Sequence, residues 1–228
     1  MLMDWLAQLR WDLLIDTAVT AAAAVLCITF HETCHGLAAL ALGDPTARRA
    51  GRLTLNPLKH LDIFGLLMMM AVKVGWAKPV PVDARYFKEP RLGMAVVALA
   101  GPVSNVLLSA LAAVGYTVSM FCSMYLQIPA LEITATFFYS VFFISAGLAV
   151  FNLLPVPPLD GSKVLAVLLP KKWYWLLMRY ERYGMYALMA LLLTGVLDVP
   201  LDFLREGLIG LLAPISQWTF ELLIALHS

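Results

Sequence analysis

The chain has 228 residues, of which 61% are hydrophobic and only 14% charged, and its mean hydropathy is +0.82. Water-soluble domains carry about a quarter charged residues, so this composition leaves too few charges for a solvated surface and puts the chain in a bilayer. The net charge of +1 gives no basis for binding nucleic acid through its phosphates, and three scattered cysteines (Cys27, Cys34, Cys122) make neither a disulfide framework nor a CxxC metal knuckle.

In chain order, Leu13 to Leu42 carries acidic and imidazole groups only at Asp16, His31, Glu32 and His35. It exceeds the roughly 20 residues that a hydrocarbon core requires. Its acidic, aromatic flank (Asp4, Trp5, Trp11, Asp12) lacks the basic start and small-residue cleavage site of a signal peptide, so the segment is expected to be retained. Ile63–Val72 is about half a span and reads as re-entrant or interfacial. Gly93–Met120, with Pro102 inside it, is a full span. So is Leu131–Leu154, which stops at Pro155, Pro157 and Pro158. Tyr183–Leu197 is short, and Leu208–Leu226, with Arg205, Glu206 and Glu221 about it, is either a tilted span or a surface helix. Two short runs bounded by Gly and Pro, Arg52–Leu55 and Val80–Val82, leave room for small β-strands whose edge a substrate would pair with. The expectation is an all-α polytopic membrane protein of five to six transmembrane helices plus a short re-entrant segment. It would form one domain over 1–228, with a core at about 13–170 and C-terminal helices at about 183–226.

Cytoplasmic loops collect Lys and Arg. With Ile63–Val72 re-entrant, every basic residue except Arg10 and Arg205 falls on one side. The spacing therefore predicts an extracytoplasmic N-terminus in a multi-pass protein of the cell (inner) membrane.

Ionisable groups inside a span are costly and mark function. His31-Glu32-Thr33-Cys34-His35 is an HExxH pattern. Residues i and i+4 of a helix lie about 40° apart, so both imidazoles can hold one ion while Glu32 reaches a water. Catalytic zinc uses three protein ligands. Asp160, at the end of Asn152-Leu-Leu-Pro-Val-Pro-Pro-Leu-Asp160-Gly161, is the carboxylate in a broken segment at a membrane boundary, where Gly161 permits a strained turn. His31 and His35 precede Leu42 by 11 and 7 residues, roughly 10–16 Å in from the cytoplasmic end. Asp160 comes after a span that runs inward, so it reaches the same end. Zn2+, one per chain, is the cofactor this set suits.

These residues, with Gly43-Asp-Pro, Gly51-Arg-Leu-Thr-Leu-Asn-Pro57, Gly75-Trp-Ala-Lys-Pro-Val-Pro81 and Gly101-Pro-Val-Ser-Asn105, resemble the site-2 protease family of intramembrane zinc metalloproteases, in its compact prokaryotic form. The likeness runs from Phe30 to Pro170. It implies zinc on His31, His35 and Asp160, Glu32 as catalytic base, and Asn152 and Asn105 as supports for substrate or oxyanion. No PDZ-like or CBS-like module fits in this length. The implied activity is hydrolysis of peptide bonds within transmembrane segments of substrate proteins, near the cytoplasmic side. A membrane metal transporter and a catalytically silent membrane chaperone are the competing readings. A transit path would spread polar groups along the spans, and a chaperone would need neither Glu32 nor a complete ligand set. Among lesser candidates, Cys34 and the methionines (Met68–Met70 included) read as packing, His60 as a hydrogen-bonding loop residue and His227 as an exposed tail residue. The partners are helical membrane substrates and lipid; the sequence leaves oligomeric state open.

Overall fold

Where no water can take up backbone N–H and C=O groups, the chain must bond to itself, and a single chain of this hydropathy does so as helices. The computed structural model describes residues 11–60, 62 and 78–227. The re-entrant segment expected at Ile63–Val72 lies outside them. The helices are α1 (Trp11–Ala41), the one-turn α2 (Thr46–Arg49), α3 (Pro90–Leu126), α4 (Pro129–Asn152), α5 (Asp160–Leu168), α6 (Lys171–Leu193) and α7 (Asp198–His227), with single 3-10 turns at Pro57–Lys59 and Ala84–Tyr86. Prolines open α3 and α4 at their first positions, where a missing N–H costs nothing. Between them Gln127 takes a left-handed conformation (φ 50°), which reverses the chain in a two-residue turn.

Four described helices, α1, α3, α4 and α7, are long and apolar enough to cross a bilayer, so this is a multi-pass membrane protein. The expected five to six spans reduce to these four among the described residues, because only Tyr183–Leu193 of α6 is apolar. The first half of α6 holds Lys171, Lys172, Arg179, Glu181 and Arg182 among Trp and Tyr residues, the composition of an interfacial helix. Its packing agrees. Arg91, in the first turn of α3, stacks over the Tyr174 ring at 4.6 Å. A Cβ at Gly184 would lie 2.5 Å from the Pro157 carbonyl oxygen. α6 thus stays at the end of the bundle where α1 finishes and α3 begins. α7 makes the return, and its His227 ring, although exposed, lies 4.3 Å from Tyr125 at the far end of α3.

The bundle packs through small residues, since lipid tails supply no hydrophobic drive between helices and close approach must. Ala23 and Cys27 of α1, Ala112 of α3 and Val141 of α4 form the buried centre, flanked by Leu26, Leu108 and Phe142. Ser145 Oγ donates to Cys27 Sγ at 3.2 Å and Ser109 Oγ to the Phe142 carbonyl at 2.9 Å, tying the three helices together.

Below this bundle, three buried polar side chains organise the connection between α1 and α3. Arg52 donates to the carbonyls of Lys59, of Lys78 at 2.6 Å and of Pro79 at 3.1 Å. His60 donates from Nε2 to the Thr54 carbonyl at 2.8 Å. Asp44 accepts from the amide of Thr46 at 2.9 Å, from its hydroxyl, and from the amide of Asp83 at 2.7 Å. These contacts explain why the short runs expected as strands are not strands among the described residues. Side chains take the carbonyls that a ladder would use, and Pro79 and Pro81 have no N–H to offer.

Burial alone would raise the Asp44 carboxyl, but the Thr46 hydroxyl and the Asp83 and Thr46 amides more than offset it and hold it below its ordinary value. A carboxyl held low in the folded state stabilises fully above its unfolded value, near about 3.9, and loses that contribution as pH falls through the folded one. Asp44→Asn should therefore cost about 1–3 kcal/mol at pH 7 and flatten the loss of thermal stability between about pH 5 and pH 3. Parallel melting curves for the two proteins across that range would exclude the role.

Candidate metal centre

On α1 the residues at every fourth position, Ala23, Cys27, His31, His35 and Ala39, are all buried. The two histidines therefore sit on the face that packs against α3 and α4 rather than toward lipid, as ionisable groups in a span must. Their rings meet edge to face with centroids 4.5 Å apart. The chain breaks after α4, and Asp160 begins α5 with its carboxylate turned onto the same point. Asp160 Oδ2 lies 3.2 Å from His31 Nε2 and 3.1 Å from His35 Nε2, and the two Nε2 atoms are 2.9 Å apart. Donors about 2.0–2.1 Å from a tetrahedral zinc stand roughly 3.3 Å from one another. The triangle fits that ion within a few tenths of an ångström. Among the described residues this is the one set of three such donors close enough to share a metal.

Each donor is held from behind. His35 Nδ1 lies 2.7 Å from the Val97 carbonyl of α3, which can take its proton and leave Nε2 free to ligate. His31 Nδ1 lies 3.2 Å from the carboxamide of Asn105, also on α3 and fully buried. A Cβ at Gly101 would lie 2.4 Å from His35 Nε2 and 2.5 Å from His31 Cε1. Glycine at that position of α3 is what leaves room for both imidazoles. Lys163, one turn along α5, stands 3.9 Å from the other Asp160 oxygen. Burial works against ionisation of Asp160, but His31 and His35 beside it hold its carboxyl well below the usual range. Gly161 does not adopt a left-handed backbone. Its value is close approach, since a Cβ there would lie 2.1 Å from the Leu153 carbonyl.

The remaining sequence candidates sit apart from the donor triangle. Glu32 Oε2 accepts from the Val80 amide at 3.0 Å, so the segment after Lys78 fixes one oxygen of the carboxylate. Asn152 Nδ2 donates to the Leu148 carbonyl of its own helix at 2.9 Å. Cys34 is half-buried and not among the clustered donors. A groove of about 430 Å³, walled by Val82, Arg85, Arg91, Met94, Lys163 and Tyr174, shares Lys163 with the surroundings of Asp160 but is lined by none of the three donors. The sequence reading quoted Gly101 and Val80 within motifs but gave them no place at the site, and it assigned none to Val97 or Lys163. A Gly-Pro pair inside an apolar span, which lowers helix propensity without ending the helix, was the signal for Gly101.

A family model described as peptidase family M50 matches residues 118–195, the stretch that contains Asp160. The chain is 37% identical over 204 residues to "Putative zinc metalloprotease YwhC" of Bacillus subtilis (strain 168), covering 85% of this chain and 90% of that one. It is 28% identical over 180 residues to "Putative zinc metalloprotease Rip2" of Mycolicibacterium smegmatis (strain ATCC 700084 / mc(2)155), covering 76% of this chain and 66% of that one. No solved structure matches.

If Gly101 is there to clear space, Gly101→Ala should leave the helix as stable or more so, by up to about 1 kcal/mol, while lowering bound zinc at least tenfold by elemental analysis. Zinc at the wild-type level in that variant would show that the imidazoles do not need the space.

Proposed function

The chain belongs to peptidase family M50 and is a zinc metalloprotease, and from that premise we propose that it cuts peptide bonds within transmembrane helices of other proteins, near their cytoplasmic ends, using one zinc per chain. The observation that carries this reading is the convergence of His31, His35 and Asp160 part-way along a helix of bilayer length. His35 and His31 lie 6 and 10 residues from Ala41, the last residue of α1, or about 9–15 Å from that end. A peptide bond that meets this point is at membrane depth. The excess of Lys and Arg on the loops at that end supports a cytoplasmic placement and an inner-membrane location. A fold of four crossings over one domain, with α6 along the interface, is consistent with the charge pattern.

His31, His35 and Asp160 would hold the zinc, which supplies Lewis acidity that polarises a carbonyl and acidifies water. Glu32 takes the proton of the attacking water and returns it to the leaving amine. Its contact with the Val80 amide holds one oxygen of the carboxylate in place. Asn152, and in the expected scheme Asn105, would offer amide donors to the developing oxyanion. Asn152 would first have to release the Leu148 carbonyl. The substrate is a helix whose carbonyls are already bonded, so its segment must unwind before a bond is exposed.

Two measurements on one model substrate test this reading. Glu32→Gln should abolish cleavage, by 10²-fold or more, with zinc content unchanged. Replacing helix-breaking Gly, Pro or Asn near the cleavage point by Leu should slow cleavage, because Gly and Pro cost a helix about 1 and 3 kcal/mol. Near-normal turnover by Glu32→Gln would overturn the hydrolytic role, and cleavage confined to soluble loops of the substrate would overturn the intramembrane one.

A further inference from the structure

An imidazole that ligates through Nε2 carries its proton on Nδ1, and a buried N–H needs an acceptor. His35 has the Val97 carbonyl for this purpose. For His31 the group within reach is the Asn105 carboxamide, whose Nδ2 stands 3.2 Å from His31 Nδ1. Asn105 is fully buried and its Oδ1 has no hydrogen-bond partner. A carboxamide is nearly symmetric in shape, and a half-turn about its last torsion exchanges oxygen and nitrogen. It can therefore serve either tautomer of His31. With Nδ2 donating to a bare Nδ1, the proton is left on Nε2, beside Asp160. With Oδ1 accepting from Nδ1–H, the Nε2 lone pair is free. Only the second is compatible with ligation through Nε2.

We infer that Asn105 is a positioning residue for the metal: its Oδ1 accepts from His31 Nδ1–H, selecting the ligating tautomer and fixing the plane of the ring. The role differs from oxyanion support, because the carboxamide acts through His31. The half-turn puts Oδ1 on His31 Nδ1–H and carries Nδ2 to the place where Oδ1 stands without a partner. Buried polar groups in a bilayer protein are rarely left unpaired, and Asn at a small-residue helix crossing could have been Leu or Ala had packing been its only task. The inference rests on His31, His35 and Asp160 being the zinc site.

The test compares zinc affinity, by competition with a chromophoric chelator, for the purified full-length wild type, Asn105→Leu and Asn105→Asp. Leu matches the size of Asn without an acceptor, so its affinity should fall about 10–100-fold. A carboxylate only accepts, so Asn105→Asp should bind zinc at least as tightly as wild type. The absorption spectrum of the cobalt-substituted protein should show the same order: four-coordinate in wild type and Asn105→Asp, altered in Asn105→Leu. A purely structural role predicts the reverse, with Leu tolerated in the bundle and a buried Asp damaging. Equal affinities for Leu and wild type, or a loss in Asp as large as that in Leu, would overturn the inference. A wild-type protein with no zinc affinity would instead overturn the metallopeptidase site itself, and this inference along with it.

Discussion

Placing charge in a hydrocarbon layer is the constraint that governs this structure. Two imidazoles and two carboxylates, His31, His35, Glu32 and Asp160, lie at or near the bilayer, and none can rely on water for partners. The fold supplies partners instead. The fourfold stripe on α1 turns the imidazoles inward, and the break after α4 brings a carboxylate to them within 3.2 Å. Helix α3 closes the arrangement from behind with the Val97 carbonyl and the Asn105 carboxamide. The α3–α1 crossing must be close for this to work, which is why Gly101 stands there rather than Leu or Phe. A larger side chain at Gly101 would occupy the place of the His35 ring.

The polar connection between α1 and α3 solves a related problem with different means. Around Val80 its backbone cannot form helix, because Pro79 and Pro81 interrupt it, and its carbonyls cannot be left bare beside the membrane. Arg52 serves three of them at once, a use for which its planar fork of donors suits it better than Lys. Asp44 holds the amides of Thr46 and Asp83 together, so the chain leaving α1 and the chain entering α3 share one anchor. The Val80 amide then meets Glu32 because Arg52 and Asp44 have fixed the residues on both sides of it.

Much of the site was legible in the sequence because it is local. His31 and His35 are four residues apart on one helix, and no tertiary information is needed to place them on one face. Asp160 was legible from depth, since the proline cluster that ends α4 has to deliver the next residues to the end of the bundle where α1 finishes. The Gly101-to-Asn105 motif was visible but its function was not. That function depends on the register of α3 against α1, which no single span encodes. The span count beyond four is not confirmed for a physical reason: hydropathy scores Tyr183–Leu193 as apolar whether it crosses the membrane or lies under it. Strands at Arg52–Leu55 and Val80–Val82 were overread because a pattern of Gly, Pro and β-branched residues does not show that Thr33 and His60 will claim the Thr54 carbonyl.

Arg91, Val97, Gly101 and Asn105 all belong to α3. From the first of these the helix holds the far end of α5 through the carbonyls of Ala166 and Leu169, and from the others it sets both imidazoles. Asp160 is the opposite end of the same nine-residue α5. All three donors are thus referenced to a single helix, as points are to a jig. When the bilayer thins or thickens and the helices tilt to match, the triangle travels with α3 as one body and keeps its spacing. What changes is the depth at which that body stands in the membrane, and hence which residue of a passing helix is level with Glu32. On the proposed function, lipid thickness would act on where a substrate is cut before it acted on whether the metal is held.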